Sequence, residues 1–285
     1  MRYKICHSTQ YRYQQLVTLR HHSLRLHPRS DGGQRLLSFD LEVSPSPSQR
    51  TAIVDLDGNT TLELWFEPAP IEQLTLVTTA EVETYRSNPF DYLAESWASG
   101  LPLDYPTTLR TRLMPYLSPH GPIAASVVDL AQAIAHRVDG STGLFLTTLA
   151  SDIYETCSYA TRATGHPWPG GITLNNKLGS CRDFAVLFIE ACQAVGVAAR
   201  FVSGYEEGDP AAGDRDLHAW AEAYVPGGGW RGFDPTHGLA VSDRHVALAA
   251  SPFPAQTLPI YGSTQEGSRV ESFLKTQIII DVLSH

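Results

Sequence analysis

The first 85 residues alternate apolar and polar side chains with a period close to two, and this pattern most narrows what the chain can fold into. Leu37, Phe39, Leu41 and Val43 alternate with polar neighbours, and residues 62–66 and 74–82 follow the same rule. Turn-forming clusters at 31–33, 44–47 and 57–59 separate these runs at the spacing of antiparallel strands. The pattern predicts an N-terminal antiparallel β-sandwich or barrel.

The period changes near residues 88–90, and prolines at 102, 106, 115, 119 and 122 indicate a winding connection. A chain of 285 residues is long enough for two domains, so we place a boundary near residue 95. Beyond it, 123–138 and 144–157 have the pattern of amphipathic helices. Residues 270–282 alternate as a terminal strand that we expect to close one of the sheets. The predicted fold class is α+β, with a β-domain over 1–95 and a second domain over 96–285.

Composition excludes several function classes. A net charge of −9 argues against general attraction to nucleic acid, and no apolar run approaches the roughly 18 residues that a membrane span needs. The first 13 residues lack the apolar stretch of a signal peptide, so we expect a cytoplasmic location. Four cysteines without a CxxC pair do not suggest a disulfide framework or a zinc knuckle. We expect no cofactor, and the oligomeric state is left open.

Cys181 is the strongest candidate for a nucleophile, because its neighbours predict the start of a helix. Ser180 and Asp183 have capping-box spacing, and an apolar run from Phe184 continues the helix. The unpaired N–H groups and the positive end of the helix dipole in a first turn favour a thiolate and stabilise an oxyanion. Cys192 lies further along the same helix among apolar residues, which is typical of a core position.

A β-hairpin downstream carries a candidate base and a residue to orient it. Residues 217–225 and 230–235 have strand patterns and are joined by a Gly-rich turn. His218 and Asp234 have the same parity, so any antiparallel register with an even sum of paired residue numbers puts both on one face, opposite or diagonal. Cys181, His218 and Asp234 therefore form a candidate catalytic triad.

A metal site is the alternative interpretation of the same residues. Thiolate, imidazole and carboxylate groups suit zinc, so Cys181 and His218 with Asp234 or His237 would be the ligands. The capping pattern at Cys181 favours the catalytic interpretation, and we predict no metal.

Four segments together resemble the transglutaminase-like superfamily, in the bacterial branch whose core follows an N-terminal β-domain. They are Gly-Ser-Cys-Arg-Asp-Phe-Ala at 179–185, Gly-Val-Ala-Ala-Arg-Phe-Val-Ser-Gly-Tyr at 196–205, His-Ala-Trp at 218–220 and Gly-Phe-Asp-Pro at 232–235. Residues 34–39 and the Pro-Ser turns after them resemble the N-terminal module.

The resemblance implies a papain-like core, with helices packed on an antiparallel sheet. It also implies that Cys181 attacks an amide to form a thioester acyl-enzyme, that His218 acts as base and then acid, and that Asp234 orients the imidazole. A second oxyanion donor is expected upstream of the nucleophile, and Asn175, Asn176 or Trp168 could serve. Trp220 is a further candidate for substrate contact, and with Trp168, Tyr205 and Trp230 it belongs either to a cleft or to the core.

We expect hydrolysis of a peptide or isopeptide amide. The alternatives are transfer of the acyl group to an amine, as in transglutaminases, and a non-catalytic binding module that retains the fold. The bacterial branch is associated with ATP-grasp amide ligases, which implies that such a ligase makes the amide that this chain cleaves. Nothing in the sequence resembles a calcium-binding loop, so calcium dependence is not expected.

Overall fold

The computed structural model describes residues 1–162, 165–208, 215–266 and 270–284. Five strands open the chain: β1 (Arg2–Leu24), β2 (Gln34–Ser44), β3 (Gln49–Val54), β4 (Thr60–Trp65) and β5 (Pro70–Thr84). A mainly helical part follows: α1 (Thr107–Leu117), α2 (Ala125–Arg137), α3 (Thr142–Thr156), β6 (Ser158–Tyr159), α4 (Gly170–Asn176), β7 (Leu178–Gly179) and α5 (Cys181–Ala194). Apart from two short 3-10 helices, Ser96–Ala98 and Pro254–Thr257, the remaining elements are strands: β8 (Ala199–Glu206), β9 (His218–Val225), β10 (Gly229–Asp234), β11 (Leu239–Ala240), β12 (His245–Ser251), β13 (Ile260–Thr264) and β14 (Ser272–Ser284).

Strand β1 organises the N-terminal sheet, because both of its edges are paired. Its first half lies between β5 and β14, and residues 22–24 lie between β4 and β13, all antiparallel. The pairing of β1 with β5 is irregular between Arg12 and Val17, and the sheet curls there around an apolar core. That core consists of Val17, Leu19, Leu24, Leu41, Leu64, Leu74 and Leu76. The curled antiparallel sheet confirms the predicted class of the N-terminal part.

The C-terminal strand lies in the N-terminal sheet, whereas the boundary near residue 95 placed it with the second domain. β14 pairs with β1 from Tyr3 opposite Val282 to Tyr13 opposite Ser272. The reason is that β1 would otherwise present an unpaired edge, while alternate residues of β14, including Ile278, cover the core beneath it. A boundary drawn along the sequence cannot represent a sheet that both ends of the chain share.

The second part of the chain packs helices on a five-stranded antiparallel sheet of order β11-β10-β9-β8-β12. Helix α5 is central and lies against β9, where Ala219, Ala221 and Ala223 let the helix approach closely. Phe188 of α5 stacks on Phe233 of β10 with ring centroids 5.5 Å apart. Helices α2 and α3 lie within two residues of the bounds that the sequence predicts.

The two sheets share a buried interface. Tyr3 and Ile5 of β1 and Ile278 of β14 pack in one cluster with Tyr205 and Leu248 of the second sheet. Two side-chain amides also extend the edge of β12. Asn59 accepts from the N–H of Ala250 at 2.8 Å and donates to its carbonyl at 2.9 Å, and Gln34 makes the same pair of bonds with Ala247. These bonds satisfy an otherwise open edge and fix the N-terminal sheet against the core.

Among the described residues, no helix is long and apolar enough to span a bilayer.

Replacing Ile278 by Ala should lower the free energy of unfolding by about 2–4 kcal/mol, because the side chain is buried between β1 and the second sheet. Its neighbour Ile279 points to the other face and is 48% exposed, so Ile279→Ala should cost less than about 1 kcal/mol. Urea denaturation of both variants measures the difference. Equal losses would show that β14 does not seal this interface.

Candidate active site

Cys181 is the first residue of α5, as the capping pattern predicts. Ser180 precedes the helix, and its N–H and hydroxyl each donate to Asp183 Oδ2 at 2.8 Å. The first-turn N–H groups have no acceptor within the helix, so the positive end of the dipole lies at the thiol. Cys181 is buried from bulk solvent and lines a cavity at the helix start.

The hairpin of β9 and β10 brings His218 and Asp234 together. Phe233 pairs with Ala221 and Gly232 with Glu222, so Asp234 lies on the same face as His218 and diagonal to it. His218 Nε2 donates to Asp234 Oδ2 at 2.7 Å. This leaves Nδ1 as the nitrogen available to the Cys181 thiol, with which the His218 side chain interacts.

Charges in this group stabilise one another. Burial favours a neutral acid at Asp234, but His218 and His245 outweigh it and hold the pKa of the carboxyl well below its ordinary value. Burial also opposes a charge on His218, but Asp234 and the Cys181 thiol together raise the pKa of this imidazole well above its usual value. The arrangement favours an imidazolium at His218 beside the Asp234 carboxylate.

Two residues near Asp234 and His218 escaped the sequence analysis. His245 of β12 is buried, and its Nε2 donates to Asp234 Oδ2 at 3.1 Å, while the N–H of Thr236 donates to Oδ1 at 2.9 Å. Glu206 of β8 lies 3.8 Å from His218 Nε2 and accepts from His237 Nε2 at 2.9 Å. No local motif marks His245 or Glu206, because only the strand order β10-β9-β8-β12 brings them to the hairpin.

Tyr159 of β6 was also missed. Its side chain is 54% exposed but interacts with Cys181, and local desolvation together with Cys181 and Asp216 raises the pKa of the phenol to about 12. The hydroxyl is therefore protonated at neutral pH and is a potential donor beside the sulfur.

Asp183 joins the start of α5 to the loop that precedes it. The fully buried carboxylate accepts from Arg162 Nη1 at 2.5 Å and from the N–H of Trp168 at 2.7 Å, besides the two bonds from Ser180. The Arg162 guanidinium stacks on the Trp168 ring, 4.1 Å from its centroid. Burial raises the pKa of Asp183, but these donors outweigh it and hold the pKa below its ordinary value.

The remaining candidates from the sequence are not among the described residues that line the cavity. Asn175 and Asn176 are exposed at the end of α4, and the half-buried Trp168 contributes its N–H to Asp183. Trp220 is buried and stacks on His218 with centroids 6.2 Å apart, away from the cavity. Gly204 allows this packing, since a Cβ there would lie 2.6 Å from the Trp220 ring.

The other two aromatic candidates are structural as well. Tyr205 is buried with its hydroxyl 2.9 Å from His7 Nδ1, and Trp230 lies under the Arg200 guanidinium at 4.2 Å.

In the described structure, one group of side chains has potential metal-ligand atoms that all lie within 4.8 Å of one another. It consists of Glu206, His218, Asp234 and His237. Cys181 is not part of this group, so it differs from the zinc set that the sequence suggested as an alternative. These side chains already form hydrogen bonds with one another, from His218 to Asp234 at 2.7 Å and from His237 to Glu206 at 2.9 Å. An ion bound by all four would have to displace the His218–Asp234 hydrogen bond.

The cavity beside Cys181 has a volume of about 410 Å³ and opens to solvent. Its lining residues include Tyr159, Arg162, Cys181, Arg182 and His218. Cys181 and His218 both line the cavity, so a molecule that enters it reaches the sulfur and the imidazole together.

Comparison with known proteins identifies the same superfamily that the sequence segments resemble. Residues 3–83 match the bacterial transglutaminase-like N-terminal region, and residues 129–235 match the transglutaminase-like superfamily. The chain is 30% identical over 276 residues to the uncharacterized protein Rv2569c of Mycobacterium tuberculosis, covering 92% of this chain and 87% of that protein. Over 85 residues, 27% of this chain and 13% of the relative, it is 33% identical to a protein-glutamine gamma-glutamyltransferase of Pseudomonas aeruginosa.

A solved structure from Cytophaga hutchinsonii, described as a candidate cysteine protease, superposes with a TM-score of 0.76 at 21% identity, covering 100% of this chain and 91% of that one. The protein therefore belongs to the transglutaminase-like superfamily and carries the bacterial N-terminal region of that family.

Asp183→Asn should lower the free energy of unfolding by about 3–5 kcal/mol, because it leaves the Arg162 charge without its buried partner. The lowered pKa of Asp183 means that its stabilisation is present above the ordinary carboxyl pKa of about 3.9 and is lost as the pH falls through its folded value. The difference between wild type and variant, measured by urea denaturation, should therefore narrow below pH 4.

The matched control is Asp152→Asn, which removes a surface pair with Arg137 and should cost less than about 1 kcal/mol. A cost for Asp183→Asn as small as that of the control would contradict the role given to this carboxylate.

Proposed function

We propose that the protein is a cysteine-dependent hydrolase that cleaves a peptide or isopeptide amide through a thioester acyl-enzyme. The observation that carries the proposal is the position of His218, which interacts with the Cys181 thiol and donates to the buried Asp234 carboxylate at 2.7 Å. A base that is oriented by a carboxylate and placed against a thiol is the arrangement that covalent acyl transfer requires.

The first half of the reaction acylates the enzyme. The Cys181 sulfur attacks the amide carbon, a C–S bond forms, and the carbonyl oxygen becomes an oxyanion at the first-turn N–H groups of α5. The His218 imidazolium gives its proton to the amide nitrogen, the C–N bond breaks and the amine leaves. Tyr159, whose side chain interacts with Cys181, replaces Trp168, Asn175 and Asn176 as our candidate for a second oxyanion donor.

The second half releases the acyl group. Neutral His218 takes a proton from water, the resulting oxygen nucleophile attacks the thioester carbon, and the C–S bond breaks to give a carboxylic acid. The Cys181 sulfur leaves as the thiolate, with His218 again protonated. Asp234 keeps the imidazole in the orientation that serves both halves, and the His245 bond fixes Asp234 in turn.

Transfer to an amine is the second candidate. The relative named protein-glutamine gamma-glutamyltransferase matches part of this chain, and the acylation half would be the same for both reactions. The two activities differ only in whether water or an amine accepts the acyl group.

The substrate, the partner and the cellular location that the sequence analysis predicts are also proposals. A peptide or protein amide is the proposed substrate, and an ATP-grasp amide ligase is the proposed source of that amide. The proposed cytoplasmic location would be checked by cell fractionation.

Limiting iodoacetamide at pH 6 should label Cys181 at least about tenfold faster than the other three cysteines. Cys157 and Cys192 are buried, and burial raises the pKa of both thiols. Because the pKa of His218 is raised, its imidazolium is present at pH 6 and is lost only as the pH rises through the folded value. His218→Ala should therefore move the labelling of Cys181 to higher pH, as mapped by mass spectrometry.

His136→Ala is the control for that experiment, since His136 is exposed on α2 and should leave the profile unchanged. If Cys181 labels no faster than Cys6, Cys157 and Cys192 in the wild type, the catalytic proposal fails and a binding module that retains the fold becomes the better account.

Dimethylated casein incubated with monodansylcadaverine should distinguish hydrolysis from transfer, because the substrate's own amines are blocked. We expect new amine or ammonia release that depends on Cys181, with little dansyl incorporation, and loss of both in Cys181→Ala. Transfer releases one amine or ammonia for each dansyl group incorporated, so dansyl incorporation equal to the total release would instead assign the protein as an acyltransferase.

A further inference from the structure

The cavity beside Cys181 has two walls of different chemistry. One wall carries charged side chains, Arg162, Arg182 and Asp216, next to the proposed catalytic groups. The opposite wall comes from β1, β14 and residues 254–260, and its described lining residues carry no acidic or basic side chain other than His7. The N-terminal sheet therefore forms part of the cavity that holds the reactive sulfur.

Strand register explains which residues form this wall. Tyr11 pairs with Leu274 and Thr9 with Thr276, and the period of two points both pairs to the face that lines the cavity. The residues between them in sequence, such as Phe273, point to the opposite face and do not line it. This part of the wall is thus one face of the paired strands β1 and β14.

The deep end of the wall is neutral. His7 is buried, with Nδ1 at 2.9 Å from the Tyr205 hydroxyl and Nε2 at 3.0 Å from Thr9 Oγ1, so both ring nitrogens have partners. Burial lowers the pKa of His7 to about 4, and the ring is uncharged at neutral pH. A charged group placed against this wall would lose hydration and gain no partner of opposite sign.

The outer part of the wall is apolar and open to a ligand. Leu274 is 52% exposed and Leu258 is 37% exposed, and both line the cavity together with Ile260. Exposed apolar side chains beside a reactive group offer surface that a substrate can cover.

We propose that the N-terminal sheet supplies the specificity wall of the enzyme, and that it accepts an uncharged apolar group, aliphatic or aromatic, next to the scissile amide. The proposal rests on the proposed function and deepens it by naming a substrate class. Tyr11, Leu274 and Ile260 contact that group, while the amide lies between the first turn of α5 and His218.

The test compares two reagents that alkylate the same sulfur. Rates for Cys181 are measured with iodoacetamide and with N-benzyl iodoacetamide, and N-acetylcysteine gives the intrinsic ratio of the two reagents. At pH 9 an ordinary thiol is largely ionised, so the ratio reports on the wall whether or not His218 activates Cys181. Failure of this proposal is therefore distinguishable from failure of the catalytic one.

At Cys181 we expect the rate with N-benzyl iodoacetamide, divided by the rate with iodoacetamide, to be about tenfold higher than the same ratio for N-acetylcysteine. We call this increase in the ratio the gain, and Leu274→Ser should remove most of it. The matched control is Phe273→Ser, which removes an exposed apolar residue from the other face of β14 and should keep the gain. As a second variant, Thr276→Leu adds apolar surface to the wall and should increase the gain.

Three outcomes would overturn the proposal. The first is a wild-type ratio equal to that of N-acetylcysteine, and the second is a loss in Phe273→Ser as large as in Leu274→Ser. The third is a Leu274→Ser variant in which both reagents slow by the same factor, since the change would then act on the thiol rather than on recognition of the apolar group.

Discussion

The pairing of β1 on both edges is the constraint on which the rest of the structure depends. A strand of 23 residues exposes two long rows of backbone donors and acceptors, and these need partners wherever they are buried. Here β5 and β4 supply one row, and β14 and β13 supply the other. Because the last strands of the chain complete the first sheet, its two ends are held together.

This closure determines where the N-terminal sheet lies relative to Cys181. One face of β1 places Tyr3 and Ile5 in the interface with the second sheet, and the same face continues through Thr9 and Tyr11 along the cavity. The residues that pack against the second sheet and the residues that line the cavity thus follow one another on the same face of β1. The N-terminal region is part of the candidate site for the same reason that it packs against the core.

The candidate site itself depends on buried charges that compensate one another. Asp234 has no exposed side-chain surface and accepts hydrogen bonds from two histidines, and Asp183 accepts from Arg162 and two backbone N–H groups. A buried carboxylate without such partners would cost several kcal/mol, so each one restricts the geometry around it. Asp234 orients His218, and Asp183 holds the preceding loop against the first turn of α5.

The sequence by itself determined the elements and the local chemistry. Period-two alternation specified the β-strands, the Ser180–Asp183 spacing specified the start of α5, and the equal parity of His218 and Asp234 specified a common face, because each depends on residues close together in the chain. Only the tertiary structure decided that β14 joins β1, that His245 and Glu206 reach the hairpin, and that the Tyr159 side chain interacts with Cys181 while Asn175 and Asn176 are exposed at the end of α4. The physical reason is that strand order and loop path result from packing between distant segments, and short-range periodicity carries no information about which edges meet.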